Sequence, residues 1–251
     1  MSPAGLKERA SRADFSEVNV SRLAFVEGMD VTRSTLRRWN TSRLSPLIPW
    51  SLGALLIAAG LLYAVWVVAH ARRPDPSGLL IPGLNSPADL GAVGHVVLRN
   101  SLVLALHGFA CVAGFIAGSS LPLQASHYSG VKRFVHVHAG KAAIAFVALA
   151  TGFSLITQAL VLGADASTLS AQLDIGQATL MLTLLPHALP ELFALFLPLA
   201  AWIIASRHSR WDELLAATIV TCVIAVPILL LAANVEVFVW PRLMELASAR
   251  Y

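Results

Sequence analysis

The chain has 251 residues, of which 57% are hydrophobic and only 13% charged, with a formal net charge of +4. A soluble domain carries about 25% charged residues, so this composition disfavours a water-soluble class and leaves a polytopic helical membrane protein as the expected one. The excess positive charge flanks apolar runs, where it reports topology, and no basic run interleaved with aromatics suggests nucleic-acid binding.

Residues 1–46 hold eight Lys/Arg and five Asp/Glu. Phe15, Val18, Leu23, Phe25, Val26, Met29 and Leu36 predict one or two short amphipathic helices on the cytoplasmic surface. The polar start predicts no cleavable signal peptide. Arg33, Arg37, Arg38, Trp39 and Arg43 precede the first span and suit an interfacial anchor. That span is predicted over Leu47 to Ala69, with Trp50 and Trp66 near its ends. A Pro- and Gly-rich loop follows over 70–96. The second span is predicted over Val97 to Leu121, opening on Arg99-Asn100-Ser101. Its Gly114 and Gly118 form a GxxxG pair that permits close helix approach. A loop over 122–141 carries His127, His136 and His138. These read as solvated histidines, because paired histidines at matched depth on facing helices, as haem would need, are missing. The third span is predicted over Ala142 to Leu162, and a polar loop with Asp165 and Asp174 over 163–177. Cys111 and Cys222 lie in separate apolar runs and predict no disulfide.

The fourth segment is the irregular one. Leu180 to Ser206 is apolar enough to cross a bilayer, yet it holds Pro186, His187, Pro190 and Glu191. Proline removes a helix hydrogen bond, and a membrane tolerates a broken helix where protein or water satisfies the freed groups. Two helices meeting at an angle, with a break at Pro186–Pro190, are therefore predicted. After a turn at Arg207 to Arg210, the last span runs from Leu214 to Val239 and ends at Trp240-Pro241-Arg242. The fold class is thus all-α, with about five transmembrane segments. It divides into a cytoplasmic segment over 1–46 and one transmembrane domain over 47–251.

With the N-terminus in the cytoplasm, the inner segments hold 13 Lys/Arg and the outer ones 5. The positive-inside rule then places the C-terminus outside. On that topology Asn100, His187, Glu191, Asn234 and Glu236 lie at similar depth toward the outer face. Polar groups at membrane depth usually pair or face a cavity, so a shared cluster is expected. Each residue also has a structural reading: Asn100 as a helix N-cap, Glu191 in the first turn after Pro190, His187 bonded to Glu191, Glu236 wet at the interface. His187, Glu191 and Glu236 are zinc-type ligands, but no HExxH motif is present. No metal, cofactor or catalytic residue is assigned.

Two stretches carry a resemblance. Pro186-His187-Ala188-Leu189-Pro190-Glu191-Leu192 and Ala232-Ala233-Asn234-Val235-Glu236-Val237-Phe238-Val239-Trp240-Pro241 resemble the stage II sporulation protein M family. That family's pattern has an Asn opening a membrane helix, a Pro-His-Gly-x-x-Glu stretch, and an Ala-x-x-x-Glu ending before a final proline. Asn100, His187, Glu191 and Glu236 fall on those positions. Ala188 replaces the usual glycine, and Pro190 is an addition. The resemblance covers about the last 150 residues. It implies a non-enzymatic integral membrane protein acting as an assembly platform in a cell-envelope or export complex of a bacterial or archaeal cell membrane. The partners expected are the lipid bilayer and other membrane or envelope proteins, with a homo-oligomer allowed. The rival readings are a membrane subunit of a transport system, with a polar site at a broken helix, and an intramembrane hydrolase using His187 and the two glutamates.

Overall fold

A computed structural model describes residues 28–41, 45–120 and 129–248. Within them the chain is helical, with no strand, and five helices are long and apolar enough to cross a membrane. The protein is a multi-pass, all-α membrane protein. We number its helices α1 (28–41), α2 (Leu47–Ala71), α3 (Leu90–Phe115), α4 (Gly130–Leu173), α5 (Gln177–Arg207), α6 (Leu214–Asn234) and α7 (Trp240–Ala247). The predicted features before residue 28, and His127, lie outside the described residues.

The central helix is α5, which packs on α2, α3, α4, α6 and α7. Of its most apolar window 61% is buried, against 11% for α4, which faces mostly outward. The packing follows residue size more than hydropathy. On α2 the buried residues are Trp50, Ala54, Ala58, Leu61, Val65 and Ala69. Their spacing of three and four traces one helical face. Three of the six are alanines, which let two helices approach closely without a hydrophobic drive between them.

The predicted break in the fourth segment is absent. Residues Gln177–Arg207 form one α-helix with Pro186, Pro190 and Pro198 inside it. Pro186 and Pro190 are four residues apart and both exposed, so they share the outward face. Each proline removes one backbone donor, and packing of the opposite face holds the helix together across the gap. Membrane helices tolerate such residues where neighbours support the backbone.

Three boundaries also differ from the predicted ones. The second span begins seven residues early, because Asp89 caps it: its Oδ1 accepts from the Ala92 amide at 2.8 Å. Asn100 is therefore inside α3 and is not an N-cap. The third helix absorbs much of both predicted flanking loops, running from Gly130 to Leu173. It ends at Asp174, whose φ of 56° is left-handed, with the Ile175 amide donating back to Ser170 O at 3.1 Å. The last span does not end at Trp240-Pro241-Arg242: a π-turn over Val235–Val239 leads into α7.

The two ends of the bundle are built differently. At one end α1 lies against the bundle: Trp39 meets Trp50 edge-on, with ring centroids 5.2 Å apart, and Arg38 reaches Glu213 at 2.7 Å. Gly114 and Gly118 do not bring two backbones together. They seat indoles, since a Cβ at Gly118 would lie 2.3 Å from the Trp211 ring and one at Gly114 2.7 Å from Trp202 Nε1. The other end is closed by the 72–89 loop and α7. There Ser167 Oγ donates to Arg72 O at 2.9 Å, and Gln177 Nε2 to Ala69 O at 2.8 Å.

Candidate functional site

Under the 72–89 loop lies a cavity of about 320 Å³. Its walls come from all five spans, including Leu62 and Val65 of α2, Leu169 of α4, and Met181, Leu184 and Leu192 of α5. Arg99, Asp165, His187, Glu191 and Glu236 supply its charged and titratable groups, and Trp240 of α7 joins them. The exposed residues of this lining are Leu80, Arg99, Leu162 and Asp165, which place its rim between the loop, α3 and α4.

Because α5 is unbroken, His187 and Glu191 stand one turn apart on the same face. No hydrogen bond joins them among the described residues. His187 is only 5% exposed, and its Nδ1 has no partner. Its ring packs against Trp240, with centroids 5.0 Å apart and planes at 54°. Trp240 is held from behind, its Nε1 donating to Thr183 Oγ1 at 3.4 Å. Glu191 stands beside Asn100 and within electrostatic range of Glu236 and Arg99. Even so, Asn100 Nδ2, Glu191 Oε2 and Glu236 Oε2 are buried without partners. Arg99 Nη2 lies 3.7 Å from Glu236 Oε1, an ion pair too long to be a hydrogen bond.

Of the five residues expected to cluster, four meet here: Asn100, His187, Glu191 and Glu236. Asn234 does not. Its Nδ2 donates back to Leu230 O at 2.7 Å on the exposed face of α6. The expectation had used depth alone, and residues two apart on a helix point to opposite sides. The π-turn that begins at Val235 carries Glu236 inward, and such turns often mark functional sites.

The sequence reading missed Arg99, Asp165 and Trp240 as members. In the sequence Arg99 stands at the opening of the predicted second span. The capping signal at Asp89 could have placed it two to three turns inside the helix. Asp165 had been assigned to a loop, and apolar periodicity gave no warning that α4 continues to Leu173. In the 70–96 loop Leu79, Leu80, Ile81 and Leu84 predict a segment that packs on something, and the loop forms a lid. Leu79, Leu80, Ile81 and Pro82 cover the cavity, and two side-chain amides hold them. Gln172 Oε1 accepts from the Leu79 amide at 2.8 Å, and its Nε2 donates to Leu79 O at 3.1 Å. Asn85 Oδ1 accepts from the Ile81 amide at 2.6 Å, and its Nδ2 donates to Leu79 O at 2.8 Å. With its backbone groups paired, an irregular segment can lie over an apolar space.

Other histidines, His107 and His138 among them, have local partners. His107 is fully buried, and its Nδ1–H donates to Leu195 O at 2.9 Å. That carbonyl lies three residues before Pro198, in the turn that the proline disturbs. Cys111 Sγ donates to Pro198 O at 3.2 Å, and both Cys111 and Cys222 are free. His138 is exposed on α4, its Nδ1 donating to Phe134 O at 2.9 Å. Among the described residues no group of three His, Cys, Asp or Glu is arranged to hold a metal ion. Compared with family models, with curated proteins and with solved structures, the chain matches none.

Proposed function

We propose that the chain is a non-enzymatic protein of a bacterial or archaeal cell membrane, acting as an assembly platform in a cell-envelope or export complex, and that the polar cavity is its receiving site. The observation that carries this reading is the cavity, with four buried polar atoms around it that have no hydrogen-bond partner among the described residues. A mostly aliphatic pocket with a few convergent polar groups is the usual form of a binding site. Among the described residues its lining contains no serine, threonine or cysteine. The match of Asn100, His187, Glu191 and Glu236 to the stage II sporulation protein M pattern supports the platform. The lysine and arginine distribution supports a cytoplasmic N-terminus, which turns the cavity and α7 toward the outer face.

A membrane subunit of a transport system is the second reading. It is favoured by a polar cavity walled by every span, the kind of interhelical position where transporters hold substrates.

The test is copurification from native membranes with a tagged wild type and a tagged Glu191→Gln variant. A wall hydrolase or another envelope protein that is captured by the wild type and lost from the variant supports the platform. An ATPase captured in its place supports the transport subunit. A folded, well-expressed wild type that captures no partner overturns the platform. A reporter fused after Tyr251 tests the orientation, and a cytoplasmic signal there overturns the outward-facing cavity.

A further inference from the structure

We infer that the cavity takes an organic ammonium: a primary amine carried on an apolar body. The inference rests on the cavity being a receiving site, and it adds the chemistry of what is received.

Charge is the first argument. Every titratable group facing the space can be named by element: Arg99 on α3, Asp165 on α4, His187 and Glu191 on α5, and Glu236 on the π-turn after α6. The α2 and lid contributions, Leu62, Val65 and Leu79 to Pro82, are apolar. Three carboxylates thus face one guanidinium. Among the described residues the one ion pair at the cavity uses one oxygen of Glu236. The second oxygen of Glu236 and one of Glu191 remain buried and unmatched. Buried carboxylate oxygens call for donors, most effectively charged ones. An anionic ligand would add repulsion to the two carboxylates that Arg99 cannot neutralise.

Three further features point to the same ligand. His187 is 5% exposed, lines the cavity, and holds an unpartnered Nδ1. A ring nitrogen in that state can accept one more N–H. The Trp240 indole packs on His187, presenting an aromatic surface of the kind that attracts ammonium groups. The remaining wall is aliphatic, which suits a hydrocarbon body and is wasted on a bare metal ion. The described residues also supply no metal-ligating trio.

Such an amine could come from a lipid headgroup entering between α3 and α4 at the exposed Arg99 and Asp165, or from a water-soluble hydrophobic amine. The chemistry at the carboxylates is the same, and the experiment separates the sources.

The test uses the purified full chain in a neutral sugar-headgroup detergent at pH 7. Hexylamine, hexanol and hexanoate are titrated and binding is read by calorimetry. The inference expects hexylamine to bind at least tenfold more tightly than either analogue, and Glu191→Gln and Glu236→Gln each to lower that affinity at least tenfold. The comparison of three ligands on the wild type stands even where a variant fails to fold. Competition by phosphatidylethanolamine added to the micelles, and not by phosphatidylglycerol, identifies the lipid source. Competition by neither identifies the soluble amine. Hexanol binding as well as hexylamine, hexanoate binding better, or no hexylamine binding by folded protein overturns the inference. The assay contains no partner, so loss of partner capture would sink the platform while leaving this result in place.

Discussion

The two halves of α5 make an instructive pair. The half from Leu192 to Trp202 is buried at almost every position, with Phe196 and Ala201 at 0% exposure. The half from Gln177 to Glu191 alternates between lipid, cavity and core. Both halves carry proline, and each borders a buried histidine. In the packed half, His107 and Cys111 of α3 donate to carbonyls around Pro198. These two donors complete the backbone, while His107 Nε2 and Trp202 Nε1 are buried without partners among the described residues. In the cavity half, Pro186 and Pro190 face outward, and His187 and Glu191 look into a space that no neighbour fills. Buried polar groups usually find partners. Where packing supplies one, as at His107 Nδ1, a structural role accounts for that contact. Where four such atoms stay unmatched around one cavity, binding accounts for them better.

Perturbing the packed half should cost the most. Phe196→Ala removes a fully buried ring and is expected to lower stability by about 3–5 kcal/mol, read as denaturant unfolding in detergent. A loss below about 1 kcal/mol would mean that this half is not the core. Next comes the indole seat on the same end of the bundle. Gly118→Ala forces a methyl against Trp211 and should cost about 1–3 kcal/mol. Unchanged stability would show that Trp211 is free to move away.

The cavity half should answer differently. Glu191→Leu removes a buried oxygen that has no partner and adds apolar volume to a space with room for it. Stability is expected to change by less than about 1 kcal/mol, in either direction, because the gain from deleting the unmatched Oε2 offsets the loss of the carboxylate's contact with Asn100. A loss of several kcal/mol would make Glu191 a structural residue with a partner, and would erase the contrast between the halves.

The smallest effect is expected in the loop that carries the lid. The carboxylate of Asp75 accepts from the backbone amide of Ser77 and from its hydroxyl, and these bonds hold its pKa below the usual carboxylate range. The stabilisation is therefore present above the ordinary value of about 4 and is lost as pH falls through the lower folded value. Amide exchange at Ser77, corrected for intrinsic rate, should rise in that acidic window for the wild type and be pH-independent in Asp75→Ala. An identical profile in both would separate the turn from this carboxylate.

How much was legible in advance differs between these regions for a physical reason. Membrane spans announce themselves through length and composition, so the five segments and the all-α class could be read directly. Their faces could not be read from hydropathy, because lipid and protein interior are equally apolar. The signal that survives is size, as in the alanines of α2, and a reading based on hydropathy passes over it. Asn234 shows the cost of ranking polar residues by depth without helical phase. Arg99 shows the reverse: it stands at the opening of the predicted second span, yet it lines the cavity.

The sequence by itself determined that this chain crosses a membrane as helices, and it led to the expectation that Asn100, His187, Glu191, Asn234 and Glu236 lie at similar depth. Both follow from local chemistry: the cost of exposing apolar side chains to water, and of exposing polar ones to lipid. Only the tertiary structure decided that α5 runs unbroken through its prolines, that Asp165 and Trp240 join the site, and that a loop pinned by Gln172 and Asn85 closes over it. Each of these depends on groups distant in sequence supplying a hydrogen bond, a wall or a charge. No local pattern encodes which helix will stand opposite.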